Sequence, residues 1–331
     1  MRALSAIDRA AAPLFDAAHR LQATLGRRGI RTLSVALQAG FVVALVVFAV
    51  DRPVEAGDAH AYWAVDLAAP YSRPIATQDA FTYPPPAAIV FWVLGHLPWP
   101  VFEALWTIVI GVALLWMAGP WSLFLLALLP VSSDLYLGNI HILMAAAIVG
   151  GFRRPWLWSF PLLTKPSVGV GLLWFVLRRE WRPLAIAIGA TAALSLAALI
   201  LQPALWPAWI DYLLRTGVSP TIGPLASWIP IPLLLRLPAS VLLVAWGALT
   251  SRGTTNRAWT VPIAGMLALP VLWTVGLSML IGVLALLRRP DLVPAAPGAE
   301  AGQDTNRTPA PRTPAFDAPD RSVEVAPDQP V

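Results

Sequence analysis

The chain has 331 residues, of which 57% are hydrophobic and 12% charged, about half the charged share of an average soluble domain. It contains no cysteine, which excludes disulfides and thiolate metal sites. The formal charge of +5 is spread over scattered arginine pairs rather than one dense face. That distribution argues against nucleic acid as a partner and fits the positive-inside bias of membrane insertion.

Residues 1–31 carry Arg2, Arg9, Arg20, Arg27, Arg28 and Arg31 against Asp8 and Asp16, and read as a cytoplasmic amphipathic N-terminus. Thr32–Val50 has no charge and comes close to the roughly 20 residues that cross a bilayer core. Residues 51–83 reverse the balance, with Asp51, Glu55, Asp58, Asp66 and Asp79 against Arg52 and Arg73. An acidic loop after an arginine-flanked span is expected on the extracytoplasmic side. Further apolar runs lie near 84–98, 101–118, 121–137, 139–152, 156–177, 183–201, 222–250 and 258–287. The last two are long and punctuated by proline, so the expectation is an all-α transmembrane bundle over 32–289, with about nine to eleven crossings.

The run at 156–177 lies between Arg153–Arg154 and Arg178–Arg179. Either it is re-entrant and broken at Lys165-Pro166, or the first arginine pair is external. Gln202–Gly217 places Trp206, Trp209, Ile210, Leu213 and Leu214 on a helical spacing beside Asp211 and Arg215, as in a helix lying in the bilayer interface. Residues 290–331 hold seven of the eighteen acids, much proline and few large apolar side chains. They are expected to be a disordered tail in a multi-pass protein of the cell membrane.

Ionisable groups inside so apolar a chain tend to be functional. In Gly57-Asp58-Ala59-His60-Ala61-Tyr62-Trp63 a helix would put Asp58 and Tyr62 on one face and turn His60 away. A carboxylate among aromatic rings at the mouth of a bundle suits a sugar, with rings against its apolar faces and the carboxylate accepting hydroxyl hydrogens. An ordinary solvated loop is the plainer alternative. Lys165, the one lysine, is either a contact to a lipid phosphate or a snorkelling side chain. Asp134 and His141 lie near a span break, where they line a cavity or sit at an interface. Arg236 is either a second phosphate contact or an interfacial residue. His96 and Glu103 read as span-end residues, and Asp66 and Asp79 as solvated loop acids or, either of them, a second carboxylate in the site. The histidines are too isolated to specify a metal site.

Four blocks in order carry a resemblance. They are Asp58 through Tyr62 with Pro70-Tyr71; Phe81 through Pro85 with Leu97-Pro98 beyond; Gly138-Asn139-Ile140-His141; and Lys165-Pro166 followed by Arg178-Arg179-Glu180-Trp181-Arg182. In these the chain resembles glycosyltransferase family 87, membrane mannosyltransferases of the C-type fold that use polyprenyl-phosphate mannose. Two departures stand out. Asn139 and His141 stand where the family more often has Gln and Asn, and Val275 stands at the histidine of a Ser-Pro-x-x-Trp-x-His pattern.

The resemblance implies that Asp58 is the general base and that Tyr62, Tyr83, Asn139, His141 and Lys165 bind substrate. It implies a polyprenyl-phosphate hexose (mannose) as donor and a lipid or cell-envelope glycan as acceptor; no cofactor or metal is expected. A carboxylate that takes the acceptor's proton as the bond forms typically contributes about 10²–10⁴-fold. Backside attack would invert the anomeric configuration. The rival reading is a transporter or flippase of lipid-linked intermediates, which also needs broken helices and buried charge. A structural or assembly protein is a third, with no need of the Asp58–Tyr62 loop.

Overall fold

The computed structural model describes residues 24–45, 47, 57–75, 77–216, 229–251 and 256–294. The expectations for most of the N-terminal segment, for residues 51–56 and for the tail beyond 294 lie outside them. Among the described residues the fold is helical throughout, with no strand. In chain order the helices are α1 (Thr24–Leu45), α2 (Asp58–Trp63), α3 (Pro85–Leu94), α4 (Trp99–Ala118), α5 (Ser122–Leu125), α6 (Leu129–Leu137), α7 (His141–Gly151), α8 (Ser159–Thr164), α9 (Leu173–Leu177), α10 (Trp181–Leu201), α11 (Leu205–Thr216), α12 (Leu233–Thr250), α13 (Thr260–Leu267) and α14 (Ile281–Arg288). Four 3₁₀ turns matter below: Pro155–Trp158, Pro166–Leu172, Thr274–Leu280 and Pro290–Leu292.

The protein is a polytopic helical membrane protein. Among the described residues four helical stretches are long and apolar enough to cross a bilayer: α1, Trp99–Leu125, α10 and α12. The bent pair of α6 and α7 makes a fifth if it counts as one span. On α10, Leu194, Leu196, Leu199, Ile200 and Leu201 are all exposed, an apolar face that water would not solvate and lipid would. These are the long unbroken helices only; other apolar runs of the sequence are divided into shorter helices, because hydropathy registers apolar length and not continuity. The 156–177 run is a succession of 3₁₀ turn, α8, 3₁₀ turn and α9, interrupted at Lys165 with φ −134°. The 258–287 run is α13, a 3₁₀ turn and α14. Proline explains several starts: Pro85, Pro100 and Pro130 sit in the first turn of α3, α4 and α6, where a missing N–H costs nothing.

Two glycines shape the region of interest. Gly138 ends α6 in the left-handed conformation, φ 66° and ψ 34°, and α7 leaves at 103° to α6. A Cβ at Gly138 would lie 2.5 Å from that of Ala59 in α2. Gly57, with φ 96°, precedes α2, and a Cβ there would lie 2.6 Å from the Leu137 carbonyl. Only glycine supplies both the conformation and the room, so α2 seats directly on the corner between α6 and α7. The aromatic core closes around it: Tyr62 stacks on Phe91 at 4.6 Å and meets Trp106 edge-on at 5.7 Å. Trp106 Nε1 donates to the Gly138 carbonyl at 2.7 Å.

Residues 290–294, at the start of the segment expected to be disordered, are structured. Pro290–Leu292 forms a turn with Leu292 buried, and Arg153 donates to the Asp291 carbonyl at 2.6 Å. Arg288 and Arg289 likewise donate to the carbonyls of Ala118 and Trp116 at the end of α4, where cations complement the helix dipole.

Candidate functional site

The site forms where α2, the α6–α7 corner and the break at Lys165 meet. Asn139, the first residue past Gly138, donates its amide to Asp58 Oδ2 at 2.5 Å. Its own Oδ1 accepts from the Ile140 N–H at 2.7 Å, which fixes the amide and so the carboxylate. Asp58 is half-buried. Burial, the main cause, pushes its pKa from 3.8 up to about 6; the nearby Lys165 ammonium and the Asn139 hydrogen bond oppose the rise, and the Asp134 carboxylate adds to it. The result is a carboxylate that is ionised at neutral pH yet more basic than an ordinary one.

Tyr62 and Tyr83 form the wall behind it. One phenol donates to the other at 3.0 Å, and burial holds both phenols well above their ordinary range. Tyr71 donates to the Tyr83 carbonyl at 3.0 Å. Below lies a second polar group. Asp134 Oδ1 accepts from His141 Nδ1 at 3.0 Å, and its Oδ2 accepts from the Ile142 N–H at 2.9 Å and the Ser278 hydroxyl at 3.0 Å. Lys165 Nζ donates to His141 Nε2 at 2.9 Å. Asp134, His141 and Ser278 are fully buried, while Lys165 is partly exposed.

The six residues singled out from sequence therefore come together, but not all in the expected role. His141 was expected to touch substrate; it has no exposed surface and both ring nitrogens are engaged. Asn139 is spent on Asp58 and its own backbone neighbour. Tyr62 offers no free ring face, since Phe91, Tyr83 and Trp106 surround it. Of the six, only Asp58 and Lys165 are half-buried rather than buried.

His60 turns away from Asp58, as helical spacing predicts, and pairs with Asp79 at 2.6 Å. Asp79 also holds Arg73 at 3.0 Å, so it is a loop clamp and not a solvated acid. Asp66 caps the Ala68 N–H in its own loop. Glu103 lies in the second turn of α4, near the start of that span, and is buried. The Arg236 guanidinium donates to the carbonyls of Ile231, Leu267, Leu269 and Pro270, which engages it with backbone. It closes the broken end of α13. Among the described residues no cluster of histidines and acids could hold a metal. The participant with no sequence signal is Ser278, a common residue far along the chain. It lies on the 3₁₀ turn that also carries Val275 and packs beside His141, where a Cβ on Gly276 would lie 3.9 Å from the ring.

Next to this centre lies an apolar cavity of about 360 Å³, lined by α3, α8, α10 and Trp106. Phe91 and Trp106 belong both to its wall and to the aromatic group around Tyr62, and lining residue Thr164 immediately precedes Lys165. The helix expected at Gln202–Gly217 is α11; Trp209 Nε1 donates to the Thr82 carbonyl at 3.2 Å, and Tyr212 lies 5.6 Å from Tyr71.

The model of glycosyltransferase family 87 matches residues 81–287. No curated protein and no solved structure matches the chain. The matched segment carries Tyr83, Asn139, His141 and Lys165. Asp58 and Tyr62 precede it and are joined to it by the Asn139 and Tyr83 hydrogen bonds. With well over half of its length inside the match, this chain belongs to glycosyltransferase family 87 and is a membrane glycosyltransferase.

Proposed function

We propose that the enzyme transfers a hexose, mannose by family resemblance, from a polyprenyl-phosphate donor to a hydroxyl of a lipid or envelope glycan, with inversion. The observation that carries this reading is the juxtaposition of Asp58 and Lys165, two half-buried residues of opposite charge, beside an apolar cavity. The polyprenyl chain lies in the cavity and enters from the bilayer. The donor phosphate meets Lys165, whose charge offsets the negative charge that grows on the leaving group. Asp58 takes the proton of the acceptor hydroxyl as its oxygen bonds to the anomeric carbon. The bond from that carbon to the phosphate oxygen breaks with its electron pair, releasing polyprenyl phosphate. The loop of residues 57–83 and α11 cover the centre on the extracytoplasmic side of the cell membrane, with the N-terminus in the cytoplasm. No metal or cofactor enters these steps.

The test is transfer by the purified protein in lipid nanodiscs from labelled polyprenyl-phosphate mannose. Polyprenyl phosphate released in step with glycosylation of an added envelope-lipid extract supports the proposal. Movement of the donor across liposome bilayers without covalent transfer would refute it and indicate a flippase.

A further inference from the structure

A buried carboxylate and imidazole lie behind Lys165, and the transfer chemistry just described uses neither. An ammonium has three donors and no acceptor, and a neutral imidazole has one of each. His141 Nε2 is 2.9 Å from Lys165 Nζ, so that nitrogen must be the acceptor and Nδ1 must carry the hydrogen. Nδ1 faces Asp134 Oδ1 at 3.0 Å, and an ionised carboxylate can only accept. The carboxylate is itself held by the Ile142 N–H and the Ser278 hydroxyl, so three separate elements fix one tautomer. A doubly protonated ring would set an N–H against the ammonium.

We propose that Asp134 and His141 are positioning residues for the donor site: Asp134 fixes the Nδ1–H tautomer of His141, and the Nε2 lone pair then aims the Lys165 ammonium at the donor phosphate. This rests on the reading of Lys165 as the phosphate contact. Neither Asp134 nor His141 has exposed surface, so neither touches the donor, and the hydrogen-bonded path from them to the phosphate runs through Lys165. The corner geometry at Gly138 makes this possible, because the bend between α6 and α7 brings Asp134 and His141, seven residues apart, face to face. The arrangement parallels the carboxylate–histidine pairs that orient metal ligands, with an ammonium in place of the metal.

The amide of Asp134→Asn keeps its oxygen toward Ile142 and Ser278 and turns its NH₂ toward Nδ1. His141 must then carry its hydrogen on Nε2, against Lys165. In ¹⁵N-histidine-labelled protein, the His141 signal, one of four histidines and assigned by its loss in H141Q, should switch tautomer in D134N. Affinity for polyprenyl-phosphate mannose in detergent should fall about tenfold or more, the scale of a hydrogen bond to a charged group. Glutamine at 141 places an amide oxygen where Nε2 lies, whereas asparagine reaches only toward Asp134. H141N should therefore bind the donor about tenfold more weakly than H141Q, and adding D134N to H141Q should cost little further. An unchanged tautomer in D134N, equal binding by H141N and H141Q, or losses that simply add in D134N/H141Q would overturn the relay. Undiminished donor binding by K165M would instead remove the phosphate reading on which the relay depends.

Discussion

Replacing Asp58 with asparagine separates catalysis from folding more cleanly than any other change in this protein. The amide is nearly isosteric and its oxygen can still accept from Asn139, so α2 keeps its seat on the α6–α7 corner. Transfer should fall by about 10²–10⁴-fold, the contribution of a positioned base. Stability should move the other way. Because burial raises the folded-state pKa from 3.8 to about 6, the ionised carboxylate opposes folding above pH 6, by at most about 3 kcal/mol. The wild type should therefore gain stability as pH falls from about 6 toward 4, where the folded state binds the proton more tightly. The asparagine variant should show no such gain.

At pH 7.5 the variant should melt higher, by on the order of 5 °C, as often happens when a strained functional group is removed. Thermal unfolding in detergent and single-turnover transfer on the same preparation read both effects. A variant that transfers sugar at the wild-type rate would remove Asp58 from the chemistry. A variant that is inactive and melts lower would show that the loss comes from damaged packing, and the base assignment would lose its support.

Three further outcomes follow from the same geometry. The kcat/KM of the wild type should decline below about pH 6 and be about tenfold lower at pH 5 than at pH 7; in K165M, which loses the cation that lowers the Asp58 pKa, that acid limb should move to higher pH. A profile flat from pH 5 to 8, or a limb unmoved by K165M, would contradict the assignment. Gly138→Ala should destabilise the fold by about 1–3 kcal/mol, through its positive φ and the contact with Ala59, and should lower turnover as Asn139 shifts; wild-type melting and activity would show that the corner tolerates a Cβ. Arg236→Met should lower the melting temperature, since it leaves four carbonyls without their donors, while donor affinity in folded protein stays within about twofold; a selective loss of donor binding would restore Arg236 as a phosphate contact.

What could be read from the sequence was local. Helical spacing predicted that Asp58 and Tyr62 share a face and that His60 leaves it, and both follow from α2. The dipeptide Lys165-Pro166 announced a helix break, and proline delivered it. Contacts across long separations were not legible: Asn139 reaches back 81 residues to Asp58, and Ser278 reaches 144 to Asp134. Neither residue type nor spacing marks such pairs. The misassignment of Asp79 has the same origin, because an acid in a polar loop reads as solvated until the loop closes on His60 and Arg73. The roles of His141 and Asn139 also depended on burial, which a motif does not report.

The helix breaks and the buried polar groups coincide for a physical reason. Asp58 follows Gly57, Asn139 follows Gly138, Lys165 precedes Pro166, and Ser278 lies on a 3₁₀ turn. Each interruption frees backbone groups that lipid cannot satisfy, so it can persist only where protein encloses it. An interior that already holds freed N–H and C=O groups can also hold ionisable side chains. The Ile142 N–H at the start of α7 illustrates the exchange: it has no partner within the helix and bonds Asp134 instead. Arg236 does the converse at the end of α13, filling carbonyls that the broken helix leaves open. Continuous helices such as α10, with leucine and isoleucine exposed along their length, can face lipid because they carry no such interruption. A carboxylate and an ammonium placed on such a helix would be expelled to the interface. Gathered where the broken ends meet, they stay poised beside the apolar cavity.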